Sequence, residues 1–153
     1  MPLPILSGDA LNSRLYGLSV GTEFLGVALE KAQGAFNRSR ELSQLDTKNI
    51  ADATMNLRSV RENYETVRRC GYNGVFRERL IDVDNNLGQL ENLLGTIKDI
   101  GQATIPEGTS LTLGLQRSDR ARMAVAEAIP MIRPLQDLLS RTYNAAKDMN
   151  YLS

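Results

Sequence analysis

Apolar side chains recur every three or four residues along most of this chain, and the clearest run lies between residues 76 and 97. The steps between its members are 4, 3, 4, 3, 4 and 3, which is a heptad repeat on one face of a helix. The run consists of Phe76, Leu80, Val83, Leu87, Leu90, Leu94 and Ile97. No proline lies between Ile5 and Ile105, so the pattern predicts a helix from about Val75 to Ile100 that ends at Gly101.

The stretch before residue 46 predicts a short helix followed by a long one. Ser7 or Asp9 is expected to cap the short helix, which runs to about Tyr16, and the long helix is expected from Thr22 to about Leu45. The apolar seam of the long helix consists mainly of small residues: Leu25, Ala28, Ala32, Ala35, Ser39 and Leu42. A glycine inside a helix costs about 1 kcal/mol relative to alanine. The glycines of this stretch therefore predict close approach of another helix, and they are Gly17, Gly21, Gly26 and Gly34.

A second helix is expected from a cap at Thr47 to near Cys70, with Gly71 in a left-handed cap. Its seam again steps by three and four residues: Ile50, Ala53, Leu57, Val60, Tyr64 and Val67. The following turn, Tyr72-Asn73-Gly74, is short enough to join antiparallel neighbours.

Two segments have the period-two alternation of extended chain. Leu111, Leu113 and Leu115 alternate with Thr112 and Gly114 inside residues 101–117, where helical spacing is interrupted. Residues 1–7 form the second segment, because Pro2 and Pro4 disfavour a helix. Leu3 and Ile5 each follow one of these prolines, so they too are two residues apart. Two interpretations of residues 101–117 stay open: a short strand that pairs with the N-terminal arm, or a long loop that lies over a helix end.

The last helix is expected to begin at a cap at Ser118 and to contain Pro130 and Pro134. A proline inside a regular helix costs about 3 kcal/mol. The seam nevertheless keeps its phase on both sides of the prolines: Ala121, Ala124, Ala128, Met131, Leu135, Leu138, Thr142, Ala145, Met149 and Leu152. This continuity favours one helix with a kink near residues 127–134, and the alternative is two helices with Pro134 in the first turn of the second.

Four heptad seams joined mostly by short turns predict an all-α, up-and-down four-helix bundle. The bundle is expected to form one domain over residues 1–153, with an extended N-terminal arm at residues 1–7 and an irregular connection at 101–117.

The composition excludes several kinds of chemistry. The chain has no histidine and a single cysteine, Cys70, so it lacks imidazole bases, histidine metal ligands, an internal disulfide and a cysteine-rich zinc site. We therefore predict no catalytic residue, no metal and no cofactor. The formal net charge is zero, so no overall field attracts nucleic acid or anionic lipid. No signal peptide and no transmembrane segment are expected, which indicates a location in the cytoplasm or within an assembled particle.

One local group of charges departs from this neutrality. Residues 58–79 contain six arginines and three glutamates, a local charge of +3. We call the arginines the arginine corner: Arg58, Arg61, Arg68, Arg69, Arg77 and Arg79. Such a group can bind a phosphate, a nucleic-acid backbone or an acidic protein surface. The alternative is a solvated helical corner held by pairs three or four residues apart.

These patterns favour a non-enzymatic structural or interaction protein, a coiled-coil-like bundle that serves as a subunit of a larger assembly such as a virion, a tail or a secretion apparatus. Its partners are expected to be proteins, in a homo-oligomer or a multi-subunit complex. The candidate contacts are the apolar residues of the two extended segments: Leu3, Ile5, Leu111, Leu113 and Leu115. Two alternatives stay open: an anion- or nucleic-acid-binding module that uses the arginine corner, and a small all-helical enzyme that acts on an anionic metabolite.

Overall fold

The computed structural model describes residues 2–38, 44–102 and 111–152. Within these ranges the chain forms four helices, which are α1 (Gly8–Arg38), α2 (Gln44–Arg68), α3 (Gly74–Gln102) and α4 (Leu111–Asp148). Each helix packs against the next one in the chain, and α4 packs back against α1. The fold is thus the all-α, up-and-down four-helix bundle that the heptad seams predict. None of these helices, over the residues described, combines the length and apolar character needed to cross a membrane.

The predicted seams of α2 and α3 belong to one hydrophobic core that all four helices share. All seven seam residues from Phe76 to Ile97 are buried, as are all six from Ile50 to Val67. Leu87 and Leu90 are completely inaccessible to solvent. Burial of these side chains along the length of both helices is the main favourable contribution to folding, at about 1.5–3 kcal/mol for each large apolar side chain.

α1 is one helix where the sequence predicts two. Ser7 caps it, because its Oγ accepts a hydrogen bond from the amide of Ala10 at 3.2 Å. Thr22, expected at a helix start, lies buried in the middle, and its hydroxyl donates to the Leu18 carbonyl at 2.8 Å. The helix continues through Gly21 because α2 packs closely there: a Cβ on Gly21 would lie 2.5 Å from Val60 Cγ2. This packing offsets the low helix propensity of glycine.

The small-residue seam of α1 is confirmed as far as the described residues extend. Leu25, Ala28, Ala32 and Ala35 are buried, and Ser39 and Leu42 lie outside the described residues. Close packing at the glycines extends to α4 as well, since a Cβ on Gly26 would lie 3.1 Å from Ile132 Cγ2. The core-facing side of α1 is therefore in contact with both neighbouring helices.

The turn between α2 and α3 differs from the prediction in its backbone. Gly71 does not have the positive φ of the expected left-handed cap, and its amide donates to the Leu3 carbonyl at 2.9 Å. The left-handed glycine is Gly74, with φ of 68°, at the first residue of α3. The predicted short Tyr72-Asn73-Gly74 connection is otherwise present, and Tyr72 is buried.

Both interpretations of residues 111–117, a short strand and a loop, and the expected cap at Ser118 are wrong, since α4 already begins at Leu111. Leu111, Leu113 and Leu115 therefore have helical backbone. A five-residue window is too short to separate the two periods, because Leu111 and Leu115 are also four residues apart, as on one face of a helix. The part of the 101–117 connection between residues 103 and 110 lies outside the described residues.

α4 continues through both prolines, so the interpretation as one helix is correct. Each proline lacks an N–H, so the carbonyl four residues before it has no helical donor; these are the carbonyls of Ala126 and Pro130. Pro130, Pro134 and Ala126 are all exposed, so water can hydrogen-bond to these carbonyls, which lowers the cost of the prolines. The helix ends at Asp148, and Asn150, two residues later, is left-handed with φ of 64°.

The buried stripe of α4 is wider than predicted. Six of the ten predicted seam residues are buried: Ala121, Ala124, Ala128, Leu135, Thr142 and Ala145. The other four, Met131, Leu138, Met149 and Leu152, are only partly buried. Four residues outside the predicted seam are buried as well: Val125, Ile132, Leu139 and Ala146. The positions of α1 and α3 decide how far the covered stripe extends around the helix.

Candidate interaction surfaces

Arg61 is the centre of the arginine corner, and it is bound within the bundle. Its guanidinium binds Glu91 of α3 at two points, with Nε 3.2 Å from Oε2 and the Nη2 atom on Oε1. Nη1 donates to Asp84 Oδ1 at 2.6 Å and to Glu65 Oε1 at 3.4 Å. The hydrogen bond with Glu91 raises the pKa of Arg61 and outweighs partial burial, which lowers it. Arg61 thus links α2 to α3 rather than facing a ligand.

The other members of the corner lie on its surface. Arg68 donates to Glu65 at 3.0 Å, and Arg79 lies 3.8 Å from Asp82. Within the part of the chain that the structure describes, Arg58, Arg69 and Arg77 form no ion pair with a carboxylate. Arg58 lies beside Arg61 and Glu91 in a groove between α2 and α3, whereas Arg68 and Arg77 line a separate groove of about 330 Å³.

Carboxylates of α3 offset the local charge that the sequence predicts. Asp82, Asp84 and Glu91 enter the corner from positions beyond residue 79, and these three charges balance the +3 of residues 58–79. Asp84 also lines the groove between Arg68 and Arg77, where an anion would meet its charge. The geometry therefore favours the interpretation of a paired helical corner over that of an open anion site.

Tyr64 lies directly below this ion-pair cluster. The Arg61 Cζ atom is 5.3 Å from the centroid of its ring, and its hydroxyl donates to the Leu80 carbonyl at 2.9 Å. Burial, with the charge of Asp84 as the next cause, raises the pKa of Tyr64 to about 12. The neutral phenol is thus part of the folded core, and its ionisation opposes folding.

We predict a loss of stability between about pH 10 and about pH 12 that depends on Tyr64. The unfolded chain releases this phenol proton near its ordinary pKa of about 10, whereas the folded chain holds it to about 12, so stability falls as the pH rises through this window. The loss should reach about 2 kcal/mol. Urea unfolding of the natural chain and of Tyr64→Phe measures it. Burial also raises the pKa of Tyr72, so the difference between the two chains is the informative quantity. Equal pH slopes would contradict the prediction.

The N-terminal arm binds the turn between α2 and α3. The Leu3 amide donates to the Arg69 carbonyl and the Gly71 amide donates to the Leu3 carbonyl, each at 2.9 Å, as an isolated parallel bridge to Cys70. The predicted pairing of the arm with residues 111–115 is wrong, because those residues are helical. The side chains of Leu3 and Ile5 stay exposed. Cys70 is buried beneath the arm, and this burial raises the pKa of its thiol.

An apolar surface lies on α1, on the side away from the core. Tyr16, Phe24 and Val27 are 71%, 56% and 43% exposed, and Val20 between them is half-buried. Their spacing of four, four and three residues places them on one side of the helix. We call Tyr16, Val20, Phe24 and Val27 the α1 outer face.

Exposed side chains of the neighbouring helices extend this face on both sides. Met55 of α2 lines a groove with Phe24 and Val27, and Tyr143 of α4 lines a groove with Tyr16. Met55 is 68% exposed and Tyr143 is 41% exposed. Isolated exposed apolar residues are ordinary, whereas exposed apolar side chains that neighbour one another on three helices make this surface a candidate for contact with a partner.

The sequence contains a signal for this face, although the heptad analysis does not single it out. Between Leu15 and Phe36 only Glu23, Glu30 and Lys31 are charged, so the segment has too few polar residues to cover a whole solvent-facing side. The glycines of this segment account for the close packing on the core-facing side, but they do not account for the apolar residues on the outward side. No family model, curated protein or solved structure matches this chain.

Proposed function

We propose that this protein is a non-enzymatic interaction protein that acts as a subunit of a larger protein assembly. The observation that carries the proposal is the α1 outer face, continued by Met55 and Tyr143. Covering large apolar side chains in an interface contributes about 25 cal/mol for each Å² removed from water. The apolar interior also supports a structural role, because the buried side chains that the structure describes are hydrophobic apart from Thr22 and Thr142.

An anion- or nucleic-acid-binding role is the second candidate, and one observation favours it. Arg68 and Arg77 line the same groove, and Asn73 provides a further donor there. Asp84 in this groove and the carboxylates on Arg61 oppose the binding of an anion. We therefore rank this role below protein assembly.

Light scattering at two salt concentrations tests the proposed function. We expect a mass that is a multiple of 16.9 kDa and that is the same at about 0.05 M and about 0.5 M salt, since apolar contacts are not weakened by charge screening. Phe24→Asp should reduce this mass to that of the monomer. Met123→Asp is the matched control, because Met123 is 63% exposed on α4 and lies outside the α1 outer face.

Two outcomes would contradict the proposal. A chain that stays monomeric at every protein and salt concentration would contradict the proposed assembly role. A monomer that binds a DNA oligonucleotide only at low salt, and loses it in Arg77→Ala, would favour the second candidate, because each phosphate contact releases counterions.

A further inference from the structure

The outward positions of α1 are arranged symmetrically about Val20. Tyr16 and Phe24 lie four residues on either side of it, and further pairs follow at seven and eleven residues. The pairs at equal separation from Val20 are Tyr16 with Phe24, Ser13 with Val27, and Asp9 with Lys31. All six of these residues are exposed. When a second copy of α1 lies antiparallel to the first, the aromatic residues Tyr16 and Phe24 therefore lie level with each other. The acidic residue Asp9 likewise lies level with the basic residue Lys31.

We propose that the α1 outer face binds the same face of a second copy of this chain, with the two α1 helices antiparallel and a two-fold axis at Val20. This inference rests on the proposed function, and it identifies a second copy of the chain as the partner of the α1 outer face. Such a contact is isologous, so each residue pair occurs twice and the interface closes on itself as a dimer. Asp9 to Lys31 spans about 33 Å of helix at about 1.5 Å per residue.

Charge complementarity selects the antiparallel arrangement. In it, Asp9 of each copy lies level with Lys31 of the other, at both ends of the apolar stripe. The remaining acidic residues of the stretch, Glu23 and Glu30, lie level with the uncharged Gly17 and Ala10 of the second copy. A parallel arrangement would instead place Asp9 beside Asp9 and Lys31 beside Lys31, and like charges at an interface are destabilising.

Disulfide trapping tests the position of the two-fold axis. Val20→Cys should form a covalent dimer under mild oxidation, because the two copies of residue 20 meet at the axis. Ser13→Cys is the matched control, since its two copies would lie about 21 Å apart along the helices, whereas bonded cysteines have Cα atoms about 4.4–6.8 Å apart. An equal mixture of Ser13→Cys and Val27→Cys should form the mixed dimer. The natural chain, with its lone Cys70 buried, is the background.

A charge exchange tests the pairing independently of any added cysteine. Lys31→Glu should weaken the dimer by up to about 25-fold, because it replaces two attractive pairs by two repulsive ones and each lost pair is worth up to about fivefold. Adding Asp9→Lys to that variant should restore the affinity, as measured by analytical ultracentrifugation. Circular dichroism checks that each variant keeps its helices.

The results separate this inference from the proposed function. An oligomer that Val20→Cys does not trap, or whose affinity Lys31→Glu leaves unchanged, overturns the antiparallel pairing and leaves the assembly role standing. A chain that stays monomeric throughout overturns both. A covalent dimer of Ser13→Cys in the absence of Val27→Cys would indicate a parallel pairing and would also overturn the inference.

Discussion

Phe76→Ala is expected to lower the free energy of unfolding by about 3–5 kcal/mol. Phe76 is completely buried at the start of α3, where its ring packs edge-on against Tyr72 and Tyr151 with centroid distances of 4.9 and 5.6 Å. Truncation leaves a cavity and removes both aromatic contacts, each worth about 0.5–1.5 kcal/mol beyond the buried area. Because Tyr151 follows α4, the variant should also loosen the end of that helix.

Urea unfolding and hydrogen exchange measure the two effects of Phe76→Ala. The matched control is Val75→Ala at the neighbouring residue, which is 50% exposed and should change the stability by less than about 0.5 kcal/mol. The Tyr151 amide, which donates to the Ala146 carbonyl at 2.9 Å, should exchange faster in Phe76→Ala. Similar costs for the two variants would show that the aromatic cluster contributes little to stability.

Gly21→Ala is expected to destabilise the protein by about 2 kcal/mol, because the added methyl would overlap a fully buried side chain. The new Cβ would lie 2.5 Å from Val60 Cγ2, where α1 meets α2. Gly88→Ala is the matched control, since a Cβ on Gly88 would meet no described atom within 4 Å. That change should stabilise α3 by about 0.5–1 kcal/mol, because alanine loses less conformational freedom than glycine in a helix.

A double variant tests the physical cause of the Gly21 effect. Val60→Ala removes the Cγ2 atom that the new methyl would overlap, so Gly21→Ala combined with Val60→Ala should be more stable than the sum of the single effects predicts. We expect a coupling free energy of about 1–3 kcal/mol from thermal or urea unfolding of all four chains. Strictly additive effects would contradict the close contact between these residues.

The arginine corner illustrates how far sequence reasoning reaches into a candidate site. The sequence groups the six arginines by their positions near one turn, and the predicted charge counts only residues 58–79. Asp84 and Glu91 lie 23 and 30 residues after Arg61 and approach it only because α3 packs antiparallel beside α2. The pairing of Arg61 depends on the register of the two helices, which local spacing does not encode.

The α1 outer face was missed for a related reason. Two apolar stripes run along α1. Heptad spacing identifies the small-residue stripe as the core side, but it does not show whether another helix also covers the second stripe. Contacts of Gly21 with Val60 and of Gly26 with Ile132 place α2 and α4 on the glycine side. Tyr16 and Phe24 are consequently left facing solvent.

The sequence by itself determined the helical class of the fold, the seams of α2 and α3, the small-residue seam of α1 and the chemistry that the chain lacks, because heptad spacing and residue type are properties of the chain read locally. The tertiary structure alone decided that the arm pairs with Cys70, that Arg61 is bound by α3, that α1 is one continuous helix, and how wide the buried stripe of α4 is. Each of these outcomes depends on residues far apart in the chain, whose contacts exist only after the helices pack.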